Sequence, residues 1–252
     1  MAAAVLIYQR GFVLRVRVKF EKTGAMQYVG HLDLMRFFQK AVKRAELKIK
    51  YSEGFNPHQI MAFALPLGVG ITSEGEYMDI EINEEISSKD AIKRLNDNMV
   101  DGLYIKSFKY LSDNATKAMS AVTASHYIVT YKDSQNDITY IDNLLDLKKL
   151  FFDDAASIMI VKETKKGTRE LDLKPLVYRF DISFNGKVPV YDIMISSGSV
   201  DNIKPELLIK AFHEFIGDLE EPSVMNLFIK RVDMYTGEPN EFISLGDIGD
   251  ER

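Results

Sequence analysis

The chain is 252 residues long, 46% hydrophobic and 27% charged, which fits one large or two medium domains of an ordinary globular protein and excludes a disordered or fibrous one. It contains no Cys, so disulfides, thiolate metal sites, iron–sulfur ligation and a cysteine nucleophile are excluded, and a cytoplasmic location is expected. The net charge of −5 argues against a uniformly basic nucleic-acid binder, yet residues 1–60 hold eleven Lys and Arg against four acids, a surplus of +7 that leaves −12 on the remainder. The apolar run Ala2 to Ile7 is far shorter than the ~20 residues of a membrane span and lacks a basic start, so neither a signal peptide nor a membrane partner is expected.

From Leu14 the pattern alternates strictly, with Leu14, Val16, Val18 and Phe20 on one face and Arg15, Arg17 and Lys19 on the other. This predicts a half-buried strand with a basic outer face. After a turn at Lys22 to Gly24, His31 to Glu46 reads as a helix with Leu34, Met35, Phe38, Val42 and Ala45 inward. Arg36, Lys40, Lys43 and Arg44 line one exposed side of it. Next come an exposed turn (Ser52, Gly54, Asn56, Pro57), an apolar strand from Ile60 to Leu65, and a second turn with Pro66, Gly68 and Gly70. Ile60 to Leu65 is expected to be the central strand of the first half. Glu76 to Ile82 alternates as its hairpin partner, Ser87 to Asn98 is a short helix capped by Ser87 or Ser88, and Leu103 to Leu111 returns as a strand.

Ser112 to Ala121 reads as a polar linker. A second round follows: strand Ser125 to Tyr131, helix Ile141 to Phe152, strand Ile158 to Glu163, a basic turn at Lys165 to Gly167, and two strand-like runs in Arg169 to Phe184 broken at Pro175. Strand Pro189 to Ser196, helix Lys204 to Ile216 and strand Leu227 to Tyr235 complete it, and the acidic tail from Gly237 is expected to fray. The expected architecture is α+β: two tandem ferredoxin-like (βαββαβ) domains over 13–112 and 122–240, the second with an inserted hairpin.

His58, which follows Pro57 in the turn, is the best candidate for acid–base work or phosphate contact near neutral pH, weighed against a turn histidine bonded to a backbone carbonyl. His31, at a helix start beside Gly30 and Asp33, is a candidate for anion binding or for a helix cap. His126 and His213 are read as structural. No histidine or acidic spacing predicts a metal. No phosphate-loop motif and no nucleophile elbow occurs, and Gly68-Val69-Gly70 lacks the third glycine and helix of a dinucleotide fingerprint. That loop reads as a hairpin connection in preference to a phosphate cradle. Lys165, Lys166, Arg169, Lys174 and Arg179, interleaved with Tyr178 and Phe180, form a second basic cluster suited to base stacking or to gatekeeping at an exposed edge.

The strings Tyr28-Val-Gly-His31-Leu-Asp33-Leu-Met-Arg36, Lys43-Arg44-Ala45, Tyr51-Ser52-Glu-Gly54-Phe55-Asn56-Pro57-His58 and Leu65-Pro66-Leu67-Gly68, continued to Tyr77, resemble the bacterial radical SAM-linked domain of unknown function. The resemblance covers residues ~13 to 240, and residues 28–82 carry nearly all of its specificity. It implies an association with a radical SAM enzyme and with RNA metabolism. Without cysteines the chain cannot itself hold a radical SAM cluster, and no cofactor is expected. A weaker similarity, of architecture alone, is to CRISPR repeat-processing endoribonucleases, which cut RNA without metal.

These readings combine into an expectation of an RNA-binding protein, for tRNA or rRNA, acting in RNA modification or processing beside a radical SAM enzyme. Arg15, Arg17, Arg36, Lys40 and Arg44 are expected to contact phosphates, Ser52, Asn56 and His58 to make specific contacts, and Arg169 and Arg179 to extend the surface. The alternatives are a metal-independent endoribonuclease using His58 or His31, and a non-catalytic docking partner of a radical SAM enzyme.

Overall fold

The alternation at the start of the chain forms β1 (Leu14–Lys22), whose Val16, Val18 and Phe20 are fully buried. A computed structural model describes residues 13–132, 141–164, 167–198, 201–217 and 226–252. It shows a mixed α+β fold with a large, mostly antiparallel sheet and few helices. The elements that follow β1 are α1 (His31–Arg44), β2 (Met61–Phe63), β3 (Thr72–Ile82), α2 (Ser88–Asn96), β4 (Leu103–Tyr110), α3 (Ala118–Ala121), β5 (Ala124–Tyr131) and α4 (Ile141–Lys148). Then come β6 (Met159–Thr164), β7 (Gly167–Asp172), β8 (Val177–Asn185), β9 (Val188–Ser196), α5 (Pro205–Phe215), β10 (Leu227–Thr236) and β11 (Ile243–Ser244).

Nine strands form one sheet in the order β4-β1-β3-β10-β5-β9-β8, with β2 beside β3 and β11 beside β10. The two halves of the chain share this sheet. They meet where β3 and β10 run parallel, Lys230 opposite Thr72 and Arg231 opposite Ser73. Gly75 makes this approach possible: a Cβ there would lie 2.6 Å from the Val232 carbonyl oxygen and 2.7 Å from Asp233 Cα. β6 and β7 form a separate hairpin.

Each half packs helices on one face of the sheet. In the first, Leu34, Phe38 and Val42 of α1 and Ala91 and Leu95 of α2 meet Val16, Val18, Phe20, Met78 and Ile80. In the second, Leu208, Ile209 and Phe212 of α5 meet Val129, Tyr191, Ile193 and Ile229. A smaller cluster on residues of β3, β10, α3 and the tail (Tyr77, Ala118, Ala121, Val122, Met234, Leu245) bridges them.

Four expectations need correction. Ile60 to Leu65 is not a central strand: only Met61–Phe63 is extended, and it pairs with β3 alone. This short strand leaves the start of β3 open to β10. The linker contains α3, with Ala118, Ala121 and Val122 buried, because it covers the polar face of β1 and β3. The tail does not fray. Ile243 and Ser244 pair with β10, Leu245 is fully buried, and Asp250 and Tyr110 exchange backbone hydrogen bonds of 2.8 and 3.0 Å. The helix after Ile141 is α-helical only to Lys148 and continues as a π-turn over Lys149–Asp153.

Candidate nucleic-acid interface

α1 begins after Gly30 with no side-chain cap, carries Asp33 in its first turn and Lys43 and Arg44 in its last, and so matches charge to the helix dipole at both ends. With Leu34, Phe38, Ala41 and Val42 buried, periodicity leaves Arg36, Lys40, Lys43 and Arg44 exposed. Arg36 Nη1 contacts Asp33 Oδ1 at 3.1 Å, both side chains about two-thirds exposed, a pair of little energetic weight. Arg44 donates to the Asn98 carbonyl at 3.3 Å, with its guanidinium 5.8 Å from the Phe37 ring centroid. Among the described residues Lys40 and Lys43 have no acidic partner.

The turn after β1 and α1 is closed by Ser52 and His58. Ser52 N–H donates to the His58 carbonyl at 2.8 Å, His58 N–H donates to Ser52 Oγ at 3.1 Å, and Ser52 Oγ lies 2.8 Å from His58 Nδ1. Gly54, with φ of +110°, lets the chain reverse within this ring. The result is a hydrogen-bonded turn that projects Phe55, 104% exposed, at its tip, with Asn56, Pro57 and His58 exposed beside it. Gln59 then anchors the turn to the helix: its Nε2 donates to the Gln39 carbonyl of α1 at 3.1 Å and lies 3.4 Å from Tyr51 Oη. The α1 cations and the turn therefore belong to one surface, joined by exposed Tyr51.

His58 is thus a turn lock through Nδ1, and Nε2 has no partner among the described residues. His31 opens α1 half-buried, its ring 5.3 Å from that of Phe63 in an edge-on contact, which is a packing role. The other two histidines hold structural bonds. His126 Nε2 contacts Asp192 Oδ1 at 3.0 Å, and His213 Nε2 lies 2.8 Å from Tyr131 Oη. Burial pushes the His126 pKa down, opposed by the Asp192 carboxylate.

The outer face of β1 departs from the expected phosphate-binding surface. Arg17 is 2% exposed and grips Asp79 with two bonds, Nε to Oδ1 at 2.8 Å and Nη2 to Oδ2 at 3.1 Å. Arg15 Nη1 donates to the carbonyls of Asp113 and Ala115 at 3.3 and 2.8 Å. Lys19 Nζ pairs with Asp233 Oδ2 at 3.0 Å. Asp233 also accepts from Tyr77 Oη at 2.5 Å and Ser244 Oγ at 2.8 Å, so this face is an internal polar layer between β1, β3, β10 and the tail. Burial and the Asp233 charge push the Tyr77 phenol pKa far up. The signal missed in sequence was the pair Asp79 and Glu81, which stand opposite Arg17 and Arg15 of β1.

The second basic cluster is dispersed as well. Lys165 and Lys166 lie outside the described residues. Phe180, expected as a stacking ring, is 1% exposed in the second core. Tyr178 packs on Phe242 with centroids 5.0 Å apart. Arg179 Nε lies 2.8 Å from Asp192 Oδ1, a charge contact without hydrogen-bond alignment, while Arg169 is exposed on the β6–β7 hairpin. Among the described residues no group of three or more His, Asp or Glu could hold a metal, and no helix is long and apolar enough to cross a membrane.

Comparison with curated proteins gives no match. Among solved structures, the chain is similar at 10% identity to a chain of a Cbf5-Nop10-Gar1 complex, with a TM-score of 0.43, covering 87% of this chain and 48% of that one. It thus spans about half the length of that neighbour. It is also similar to an unknown protein from Galdieria sulphuraria, at 11% identity and a TM-score of 0.25, covering 87% of this chain and 98% of the other. Residues 15–205, which contain α1, the turn, the polar layer on β1 and β3, and the second half through the start of α5, match the family described as "Uncharacterized protein conserved in bacteria (DUF2344)". The chain belongs to that family.

Proposed function

We propose that this protein binds structured RNA, tRNA or rRNA, across the outer face of α1 and the turn Ser52–His58, and acts in the cytoplasm in RNA modification or processing alongside a radical SAM enzyme. One observation carries the reading. A row of exposed cations (Arg36, Lys40, Lys43, Arg44) stands beside exposed aromatic side chains (Tyr51, Phe55) on one anchored surface. Cations of this kind meet phosphates and aromatic faces stack on unpaired bases. The radical SAM association rests on the resemblance of the 28–82 segment. The finer fold reading, two ferredoxin-like halves, draws support from strand order: β4-β1-β3 with β2 outside, and β10-β5-β9-β8, both run fourth, first, third, second, with β6–β7 as the inserted hairpin. An endoribonuclease has less support, because His58 is engaged by Ser52 and no second acid–base group is bonded to it.

Fluorescence anisotropy with labelled total tRNA at low salt tests the reading. Binding is expected, with Phe55→Ala weakening it about 5- to 100-fold if one base stacks there. No binding at low salt, or unchanged affinity in Phe55→Ala, overturns it. A second reading, docking onto a protein, is favoured by Leu32 and Tyr28, which are 60% and 64% exposed near the same helix start. It predicts no RNA shift, and Phe55-dependent capture of a purified radical SAM protein.

A further inference from the structure

The loop 65–71 and the start of α5 enclose a cavity of about 290 Å³ at the junction of the two halves. Its walls are apolar: Leu67, Val69, Ile71 and Ile203 line it. Its polar lining is Arg231 and Tyr127 from the sheet, Glu206 from α5, and Asn202 and Lys204 just before that helix. Neither α1 nor the turn Ser52–His58 contributes a residue to it.

Charged groups of both signs surround this cavity: Arg231, Lys204 and Glu206 line it, and Lys22 and Glu76 lie behind it. Arg231, 1% exposed, is held by Glu76 (Nε to Oε1 at 2.8 Å, Nη2 to Oε2 at 2.6 Å) and by the Leu65 carbonyl at 2.8 Å. Lys22, also 1% exposed, faces the same Glu76 and Arg231 electrostatically. Its Nζ donates to the Gln27 carbonyl at 3.3 Å, the same oxygen that receives Gly70 N–H from the loop at 2.9 Å. Two buried basic groups thus share Glu76 behind the loop, and burial pushes the Lys22 pKa down against the pull of that carboxylate. In the same lining, Glu206 Oε2 is buried and has no hydrogen-bond partner among the described residues. A carboxylate oxygen of this kind calls for a donor.

We propose that this cavity binds a small molecule with an apolar body, one acid group and one amino group, the chemistry of an apolar α-amino acid. The acid group lies on the side of Arg231 and Tyr127, with Lys204 as the second cation of the lining. The amino group donates to Glu206, and the side chain packs on Leu67, Val69 and Ile203. The volume sits at the lower end of small-molecule sites, which run from roughly 300 Å³ upward, so a whole nucleotide is disfavoured and a small metabolite fits.

The test uses the full chain, with calorimetry and thermal unfolding run in parallel. L-leucine, L-methionine and L-phenylalanine are titrated individually, beside leucinamide, which lacks the acid, and 4-methylpentanoate, which lacks the amine. At least one amino acid is expected to bind and to raise the unfolding temperature, and each truncated probe to bind about tenfold or more weaker than L-leucine or the best binder. Glu206→Gln is expected to unfold at the wild-type temperature without ligand, to lose about tenfold in affinity for the amino acid, and to keep wild-type affinity for 4-methylpentanoate. Absence of both binding heat and a thermal shift with all three at millimolar concentration overturns the proposal. So do equal binding of leucinamide and leucine, and unchanged amino-acid affinity in Glu206→Gln. RNA binding is read on α1 and the turn, so its presence or absence leaves this result untouched.

Discussion

The cations of β1 and those of α1 look alike in sequence, but the structure treats them differently. Arg17 and Lys19 on β1 sit under the linker and the tail, paired with Asp79 of β3 and Asp233 of β10, whereas Lys40 and Lys43 on α1 are exposed and have no acidic partner among the described residues. Buried pairs are costly to break and contribute mainly when both partners are present. Exposed ones are energetically idle in the free protein and available to a ligand. The difference teaches that a basic segment must be divided by what covers it before any of it is assigned to RNA.

The comparison can be broken most sharply at the junction. Arg231→Met removes the bidentate partner of buried Glu76 and should cost about 3–5 kcal/mol in urea unfolding, and Glu76→Met, which strips the carboxylate from both Arg231 and Lys22, should cost at least as much. If Arg231→Met unfolds like the wild type, the junction is not the buried layer described above. Gly75→Ala puts a Cβ against the β10 backbone and should destabilise by about 1–3 kcal/mol by the same measurement. Tyr77→Phe removes the donor to Asp233 and should cost about 1–3 kcal/mol. A smaller effect is expected from pH. His126 has its folded pKa pushed below 6.5, so the unfolded chain takes up the proton first. Its contribution is fully present above pH 6.5 and is lost as pH falls through the depressed value, and His126→Gln should flatten that part of the stability–pH curve. Least of all, Lys40→Gln with Lys43→Gln should leave stability within about 0.5 kcal/mol of wild type.

Local pattern made several elements legible. The alternation of β1 and the apolar stripe of α1 were readable because each depends on neighbours within two turns or a few strand residues. Ser87 was readable as a cap, and it accepts from Asp90 N–H at 3.1 Å. What hid was non-local. Asp79 lies 62 positions from Arg17, and Asp233 lies 214 from Lys19, so nothing near β1 marks its outer face as covered. The acidic tail reads as frayed because its acids dominate, yet Leu245 and Ile248 pack into the bridging cluster and β11 pairs with β10. The turn Ser52–His58 was legible as an exposed corner; its anchorage through Gln59 to the Gln39 carbonyl was not, because a backbone acceptor leaves no trace in side-chain pattern.

The salt dependence of tRNA affinity tests the central claim most directly, measured for the wild type, for the Lys40→Gln/Lys43→Gln pair and for Arg15→Gln. Each phosphate contact contributes about 0.9 to the slope of log affinity against log salt on a duplex, so the α1 pair should lower that slope by nearly two. Arg15→Gln, whose parent guanidinium is engaged by the linker carbonyls, should leave it unchanged. A slope that falls with Arg15→Gln and not with the α1 pair, or no salt-sensitive binding at all, would contradict the account.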